Sequence, residues 1–482
     1  MTELLNPATC VLAVPFVAAI LLALIPNYRF AAWINVFATF LTFASALALL
    51  VWRPTSLGRL VLVDDLNIVF IVLNTLVGFT TSLFSKGYIA HELEIGQLQP
   101  SHLRFYHTMY QILMGAMNMA LLTNITGLMW VAIEIATLTT ILMVGIYRTH
   151  EALEAAWKYF ILGSVGIALA LFGTILVYSV AQPIVGNGLP AMTWGTLTAH
   201  AAQFDPMILN IAFVFLLLGY GTKAGLVPLH AWLPDAHAEG PTPISAVLSG
   251  LLLNVAIYAI LRFKMILARN VATISPGPLM MGLGLLSIVF AGLMLYRRRD
   301  IKRFFAYSSI EHMGIVAFAF GLGGPLANFA GLLHMAMHSL TKSGIFFAVG
   351  HITRIKGTQR IADITGLTTS HPLLGWIFVA FVAAIAGLPP FGVFTSEFLV
   401  VSSAFAHRPQ LAVLLVVGLL ISLGALFLRL SSIAFGEPTG GRAPDRMSPL
   451  PMLFHLGLVL MIGIFIPGPV ASWFQHVARL LG

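Results

Sequence analysis

The sequence predicts an all-α, polytopic membrane protein of about 14 transmembrane helices, two of them broken. Three observations carry this. Of 482 residues, 59% are hydrophobic and 9% charged, with a mean hydropathy of +0.94, against roughly 25% charged residues in a soluble domain. Apolar runs of about 20 residues, the length that crosses a bilayer, recur along the whole chain. Two of those runs are interrupted by prolines, at Pro228 and Pro234 and at Pro389 and Pro390. Proline removes a backbone donor and clashes with the preceding turn, so neither run is one continuous helix. In lipid the freed carbonyls need other partners, so such a break survives only inside protein or beside a water-filled cavity.

In chain order, spans are expected near residues 9–26, 30–52 and 63–84. After a polar stretch at 85–104 they resume near 106–124, 126–146 and 158–181. The broken seventh span covers 207–232 and the eighth 242–263; the rest lie near 275–296, 304–322, 327–352, 372–398, 410–435 and 452–474. The first run lacks a basic leading segment, so it reads as a span and not as a cleaved signal.

The formal net charge of +8 would suggest nucleic acid as a partner for a soluble chain; here basic residues gathering on cytoplasmic loops account for it, and no nucleic acid is expected. Loops after odd-numbered spans carry most of the Arg and Lys, including Arg297, Arg298, Arg299, Lys302 and Arg303, with Arg442 and Arg446 further on, whereas residues 181–206 carry none. Both termini are therefore expected outside and the 297–303 run in the cytoplasm. The single Cys10 excludes a disulfide framework and any thiolate-ligated metal or iron–sulfur cluster in this chain. With no GxGxxG after a strand, no P-loop and no CxxC pair, no cofactor and no metal is expected, and any redox chemistry belongs to partners.

The residues suited to chemistry sit at the breaks. Lys223 precedes the first break, with His230, Asp235, His237 and Glu239 beyond it. Ionisable groups at this depth are costly and mark ion paths; Asp235, His237 and Glu239, expected near the cytoplasmic mouth, are as suited to holding the break together as to conducting. Of only seven lysines, two, Lys223 and Lys342, fall inside apolar spans. Burial disfavours a charged amine and a carboxylate beside it restores the charge, which makes a proton site whose affinity moves with its partner. The alternative is a static ion pair joining helices. Glu134 is the one charge in the span at 126–146, with Lys223 the nearest cation by topology; otherwise it is a neutral acid bonded to a carbonyl.

His334, His338 and Lys342 follow a four-residue spacing, which stacks them on one helix face and suits a proton relay. A structural polar seam is the competing reading. Two histidines at this spacing could bind zinc, but no carboxylate or cysteine accompanies them in the run. Glu397 closes the second broken segment and is expected as a terminal proton site beside Lys342. Glu311 and His312 open the tenth span and are further path candidates. An internal echo links the breaks: Ala224-Gly225-Leu226-Val227-Pro228 recurs as Ala386-Gly387-Leu388-Pro389-Pro390, which sets Asp235 opposite Glu397.

These residues resemble a known family. Gly221-Thr-Lys-Ala-Gly-Leu-Val-Pro-Leu-His-Ala-Trp-Leu-Pro-Asp-Ala-His, Asp300-Ile-Lys-Arg-Phe-Phe-Ala-Tyr-Ser-Ser-Ile-Glu-His-Met-Gly and His338-Ser-Leu-Thr-Lys342 are similar to the antiporter-like subunits of respiratory complex I and of multi-subunit sodium/proton antiporters. Glu151-Ala-Leu-Glu-Ala-Ala-Trp-Lys-Tyr and Gly321-Leu-Gly-Gly-Pro-Leu narrow the likeness to the F component of hydrogenase-4 complexes. The resemblance implies two inverted five-helix repeats, so that residues 1–105 hold three leading helices, 106–265 the first repeat, 266–436 the second and 437–482 a last helix. It casts Glu134 and Lys223 as the pair of the first half, Lys342 as the central residue and Glu397 as the exit of the second.

One departure is Asn254, where many complex I relatives carry a lysine; an amide holds no mobile proton. The function implied is a proton-translocating subunit of a redox-driven complex in the inner (cytoplasmic) membrane. Its expected partners are the lipid bilayer, further membrane subunits, and peripheral iron–sulfur and NiFe-hydrogenase-like or dehydrogenase subunits. A cation/proton antiporter component without redox coupling, and a non-pumping scaffold suggested by Asn254, are the alternatives.

Overall fold

A bilayer offers no water to backbone donors and acceptors, so an apolar chain must satisfy them inside helices. The computed structural model describes residues 6–53, 59–439 and 448–482, and among these every extended element is helical, with isolated bridges in place of strands. Arg442 and Arg446 lie outside the described residues.

The helices begin with α1 (Pro7–Leu24), α2 (Tyr28–Val51), α3 (Asp65–Glu94), α4 (Pro100–Leu122), α5 (Thr126–Val144) and α6 (His150–Val185). They continue as α7 (Trp194–His200), α8 (Pro206–Lys223), α9 (Trp232–Glu239), α10 (Thr242–Val247) and α11 (Leu253–Leu267). Then come α12 (Gly277–Leu295), α13 (Ile301–Leu322), α14 (Gly324–Lys356), α15 (Leu367–Ser370) and α16 (Pro372–Ile385). The last are α17 (Gly392–His407), α18 (Pro409–Phe435), α19 (Leu450–Ile464) and α20 (Gly468–Leu480). Ten described helices are long and apolar enough to cross a membrane by length and composition, or up to twelve if each of two bent pairs is one span. Beyond those ten, the expected count of about 14 includes α4, the polar α14, the broken pair α16–α17 and the bent pair α19–α20.

Side chains set the boundaries. Asp205 accepts from the Met207 and Ile208 amides at the start of α8, with Pro206 in the first turn; Asp300 accepts from the Arg303 amide at the start of α13. Such caps satisfy donors that a helix start leaves unpaired. Several helices overrun the expected spans: α6 has 36 residues, about 54 Å at 1.5 Å per residue.

The chain divides into two compact units. One comprises residues 1–224 and 251–276, the other 225–250 and 277–482. In the first, α6 and α8 approach at small residues: a Cβ on Gly219 would lie 2.7 Å from the Gly166 carbonyl oxygen, the close backbone packing that replaces a hydrophobic driving force in lipid. In the second, Met281 and Ile288 of α12 pack with Ile315 and Phe318 of α13 and with Val400, Ala404, Ala412 and Leu415 of α17 and α18.

Two expectations need correction. Pro234 does not interrupt the helix: it is the third residue of α9, where first-turn amides lack intrahelical partners anyway. The break instead runs from Ala224 to Ala231. The last expected span, near 452–474, is two helices, α19 and α20, bent by 78°. Phe465 is extended and Pro467 precedes α20, so the helix cannot continue through them. The second half, α20, buries Phe474, Val477 and Ala478 and exposes Gln475, His476 and Arg479.

Candidate proton-path residues

Both breaks are built alike. α8 ends at Lys223 with Ala224 as its cap, and α16 ends at Ile385 with Ala386 as its cap. Gly225 (φ 73°) and Gly387 (φ 66°) follow in the left-handed conformation, which glycine adopts at a helix end without a Cβ penalty. The five-residue echo in the sequence is thus one backbone device used twice.

In the first unit, Lys223 Nζ lies 3.7 Å from Glu134 Oε2; the lysine side chain is 0% exposed and the glutamate 20%. The contact is an ion pair too long for a hydrogen bond, and neither atom has a hydrogen-bond partner among the described residues. Gly163 of α6 makes room for the amine, since a Cβ there would sit 3.0 Å from Nζ. Nearby, the Thr140 and Tyr159 hydroxyls are 2.9 Å apart. Asn254 is buried at the start of α11, directly after a π-helical turn at Leu248–Leu252, a local geometry frequent at functional sites.

In the second unit, Lys342 is fully buried on α14 and donates to the Phe305 carbonyl at 3.0 Å, with its ammonium 5.4 Å from the Phe305 ring centroid. The histidine ladder is not a straight rail. His312 enters from α13 and lies against both ladder histidines, with ring centroids 5.1 Å from His334 and 5.5 Å from His338. The linked atoms are His312 Nδ1 and His334 Nε2, 3.0 Å apart. His334 Nδ1 lies 2.9 Å from Ser396 Oγ, and that hydroxyl donates to the Val393 carbonyl at 2.8 Å. His338 has no hydrogen-bond partner for either ring nitrogen among the described residues. Ser339 and Ser343 spend their hydroxyls on the Met335 and Ala246 carbonyls.

Glu397, expected beside Lys342, meets His312 instead: its Oε1 lies 3.9 Å from His312 Nδ1. Glu311 Oε2 lies 3.4 Å from His312 Nε2. His312 therefore stands between two carboxylates and is the hub of this cluster.

The residues after the first break hold it in place. Arg303 Nη2 contacts Asp235 Oδ1 at 3.2 Å and Glu239 Oε1 at 3.3 Å. Lys302, counted from the sequence only as a loop cation, is 2% exposed and donates to the Ala238 and Gly240 carbonyls at 3.0 and 2.6 Å. It satisfies carbonyls that the end of α9 leaves free. His230 is enclosed by Phe290 and Tyr307, and His237 stacks on Phe346 at 4.8 Å. The sequence reading missed the roles of Ser396 and Lys302; adjacency to Glu397 was the one available signal for Ser396.

Residues 124–422 match the family described as NADH:quinone oxidoreductase/Mrp antiporter, transmembrane. The chain is 62% identical over 474 residues to the hydrogenase-4 component F homolog of Methylacidiphilum infernorum, covering 98% of this chain and 99% of that one. It is 28% identical to one of the Na+/H+ antiporter subunits of Alkalihalophilus pseudofirmus, over 75% of this chain and 71% of that one. Among solved structures, a chain of the membrane-bound sulfane sulfur reductase, an archaeal respiratory membrane complex, matches with a TM-score of 0.88 at 23% identity, over 98% of this chain and 97% of that one. A chain of respiratory complex I from Thermus thermophilus matches at 0.82 and 23%, over 99% and 100%. At these identities the structures speak to the fold.

Proposed function

Because the chain belongs to the NADH:quinone oxidoreductase/Mrp antiporter transmembrane family, we propose that it is a proton-translocating, antiporter-like membrane subunit of a redox-driven complex of the hydrogenase-4 type. Each unit holds one buried lysine inside an apolar helix, Lys223 in the first and Lys342 in the second, which supports the reading of two half-channels. In the first, Lys223 holds a proton while paired with Glu134 and gives it up when the pair opens, because burial disfavours an unpartnered ammonium. In the second, Lys342, Glu311, His312, His334 and Glu397 receive and release it, the His312–His334 hydrogen bond being the transfer step. The observation that carries this reading is the buried Lys223–Glu134 pair at a helix break.

Electron transfer is assigned to partners: other membrane subunits together with peripheral iron–sulfur and NiFe-hydrogenase-like or dehydrogenase proteins. The chain lies in the inner membrane with both termini outside. A cation/proton antiporter without redox coupling is the second reading, favoured by the likeness to the Na+/H+ antiporter protein. Mild-detergent purification separates the two: iron–sulfur and hydrogenase-like subunits accompany the chain on the first reading and only membrane subunits on the second.

The direct test uses inverted vesicles containing the assembled complex. Lys342→Met removes the charge and keeps most of the volume. Electron transfer and assembly are expected to persist while redox-linked proton uptake is lost; normal uptake would refute the assignment.

A further inference from the structure

The His312–His334–Glu397 cluster has a property beyond proton transfer. Its three donor atoms, one from each of α13, α14 and α17, lie within 4.8 Å of one another. His312 Nδ1 is 3.0 Å from His334 Nε2 and 3.9 Å from Glu397 Oε1. A tetrahedral ion with bonds of about 2.0–2.1 Å needs donors about 3.3 Å apart, so the two imidazole nitrogens are already close to that spacing and the Glu397 side chain, carried on its own flexible stem, must close in on them to complete the set.

The surroundings fix which nitrogens face inward. Ser396 Oγ donates to the Val393 carbonyl and so accepts from Nδ1–H of His334, leaving Nε2 of His334 as a bare lone pair aimed at the cluster. On the other ring, Glu311 Oε2 stands 3.4 Å from His312 Nε2, and neither atom has a hydrogen-bond partner among the described residues. If the ion takes the Nδ1 lone pair of His312, Nε2 carries the proton and faces the Glu311 carboxylate. Ligating imidazoles are held by such outer partners as a rule. Here the hydroxyl serves one ring and the carboxylate the other.

We propose that His312, His334 and Glu397 form a binding site for a divalent ion of the zinc class. Two imidazoles with one carboxylate select such ions over magnesium or calcium, which prefer all-oxygen shells. Three protein ligands leave a fourth position for water, and Glu397, 14% exposed, is the member open to the surroundings. An ion seated there occupies the His334 lone pair that the transfer step uses, so it inhibits. This last consequence rests on the proposed function; the binding itself does not.

The test uses the purified full-length chain, stripped with chelator and titrated with zinc ions alone. Bound zinc is counted after gel filtration. The wild type is expected to hold one zinc more than His334→Gln and Glu397→Gln, whose affinity at this position falls at least tenfold, while His150→Gln, an exposed control, binds as the wild type does. Equal zinc in wild type and both cluster variants would overturn the site. Should the variants fail to fold, X-ray absorption of the zinc-loaded wild type decides. Two imidazole shells at about 2.0–2.1 Å support the site, and an oxygen-only shell overturns it. Zinc bound here without any effect on proton uptake would leave the site standing and count against the relay.

Discussion

The Glu397 carboxylate occupies the space that a side chain on Gly387 would need. A Cβ on that glycine would overlap Glu397 Oε2, and its φ of 66° is one that other residues adopt at a cost. The second break thus does two things with one residue: it ends α16 and opens the pocket in which the carboxylate lies.

Gly387→Ala is therefore expected to act on Glu397 more than on the fold. The left-handed backbone costs about 1 kcal/mol with a Cβ present, which the complex survives, but the carboxylate must shift from its present position, and its contact with His312 is expected to be lost. Proton uptake should fall as far as in Glu397→Gln, with assembly on native gels retained. Uptake equal to wild type would separate Glu397 from the path.

Lys302 and Arg303 neighbour one another in sequence but differ in weight. Lys302→Met strands two buried carbonyls and is expected to lose on the order of 3 kcal/mol. Arg303, 38% exposed, makes ion pairs worth at most about 1 kcal/mol. Thermal unfolding of the detergent-solubilised chain should show a large drop in midpoint for Lys302→Met and a small one for Arg303→Gln. The reverse order would mean that the α9 end is held by charge and not by the capped carbonyls.

The contrast shows where the sequence was legible. Hydropathy and proline located the breaks, and the Gly225 and Gly387 echo was readable because a helix end in the left-handed conformation leaves a local signature. The Glu134–Lys223 contact followed from the scarcity of other charges in those spans. What was hidden depends on packing between helices. Nothing in the four-residue spacing of His334, His338 and Lys342 says that His312 of a neighbouring helix lies against two of them. Lys302 was counted as a loop cation because composition does not reveal carbonyls exposed by a broken helix. The bend at Pro467 was lost because both flanks are apolar enough to read as one run.

The proposed orientation rests on loop charge, and Arg297, Arg298 and Arg299 keep that argument although Lys302 and Arg303 are tied to α9. In a Cys10→Ser background, which removes the one native cysteine, an Asn187→Cys chain should react with an impermeant thiol reagent in intact cells. An Arg299→Cys chain should react only after the membrane is opened. Both positions are exposed or half-buried at the ends of their helices, and the opposite pattern would invert the topology.

The central claim is that Lys223 and Glu134 form a proton site and not a helix staple. Lys223→Met alone leaves Glu134 without its cation, and breaking a buried pair costs about 3 kcal/mol, so loss of transport by itself is ambiguous. The deciding measurement is redox-driven proton uptake by vesicles carrying the double variant Lys223→Met, Glu134→Gln, in which no unpaired charge remains. The account predicts a complex that assembles and transfers electrons as the wild type does but takes up no protons through this chain. Recovery of proton uptake in the double variant would contradict it.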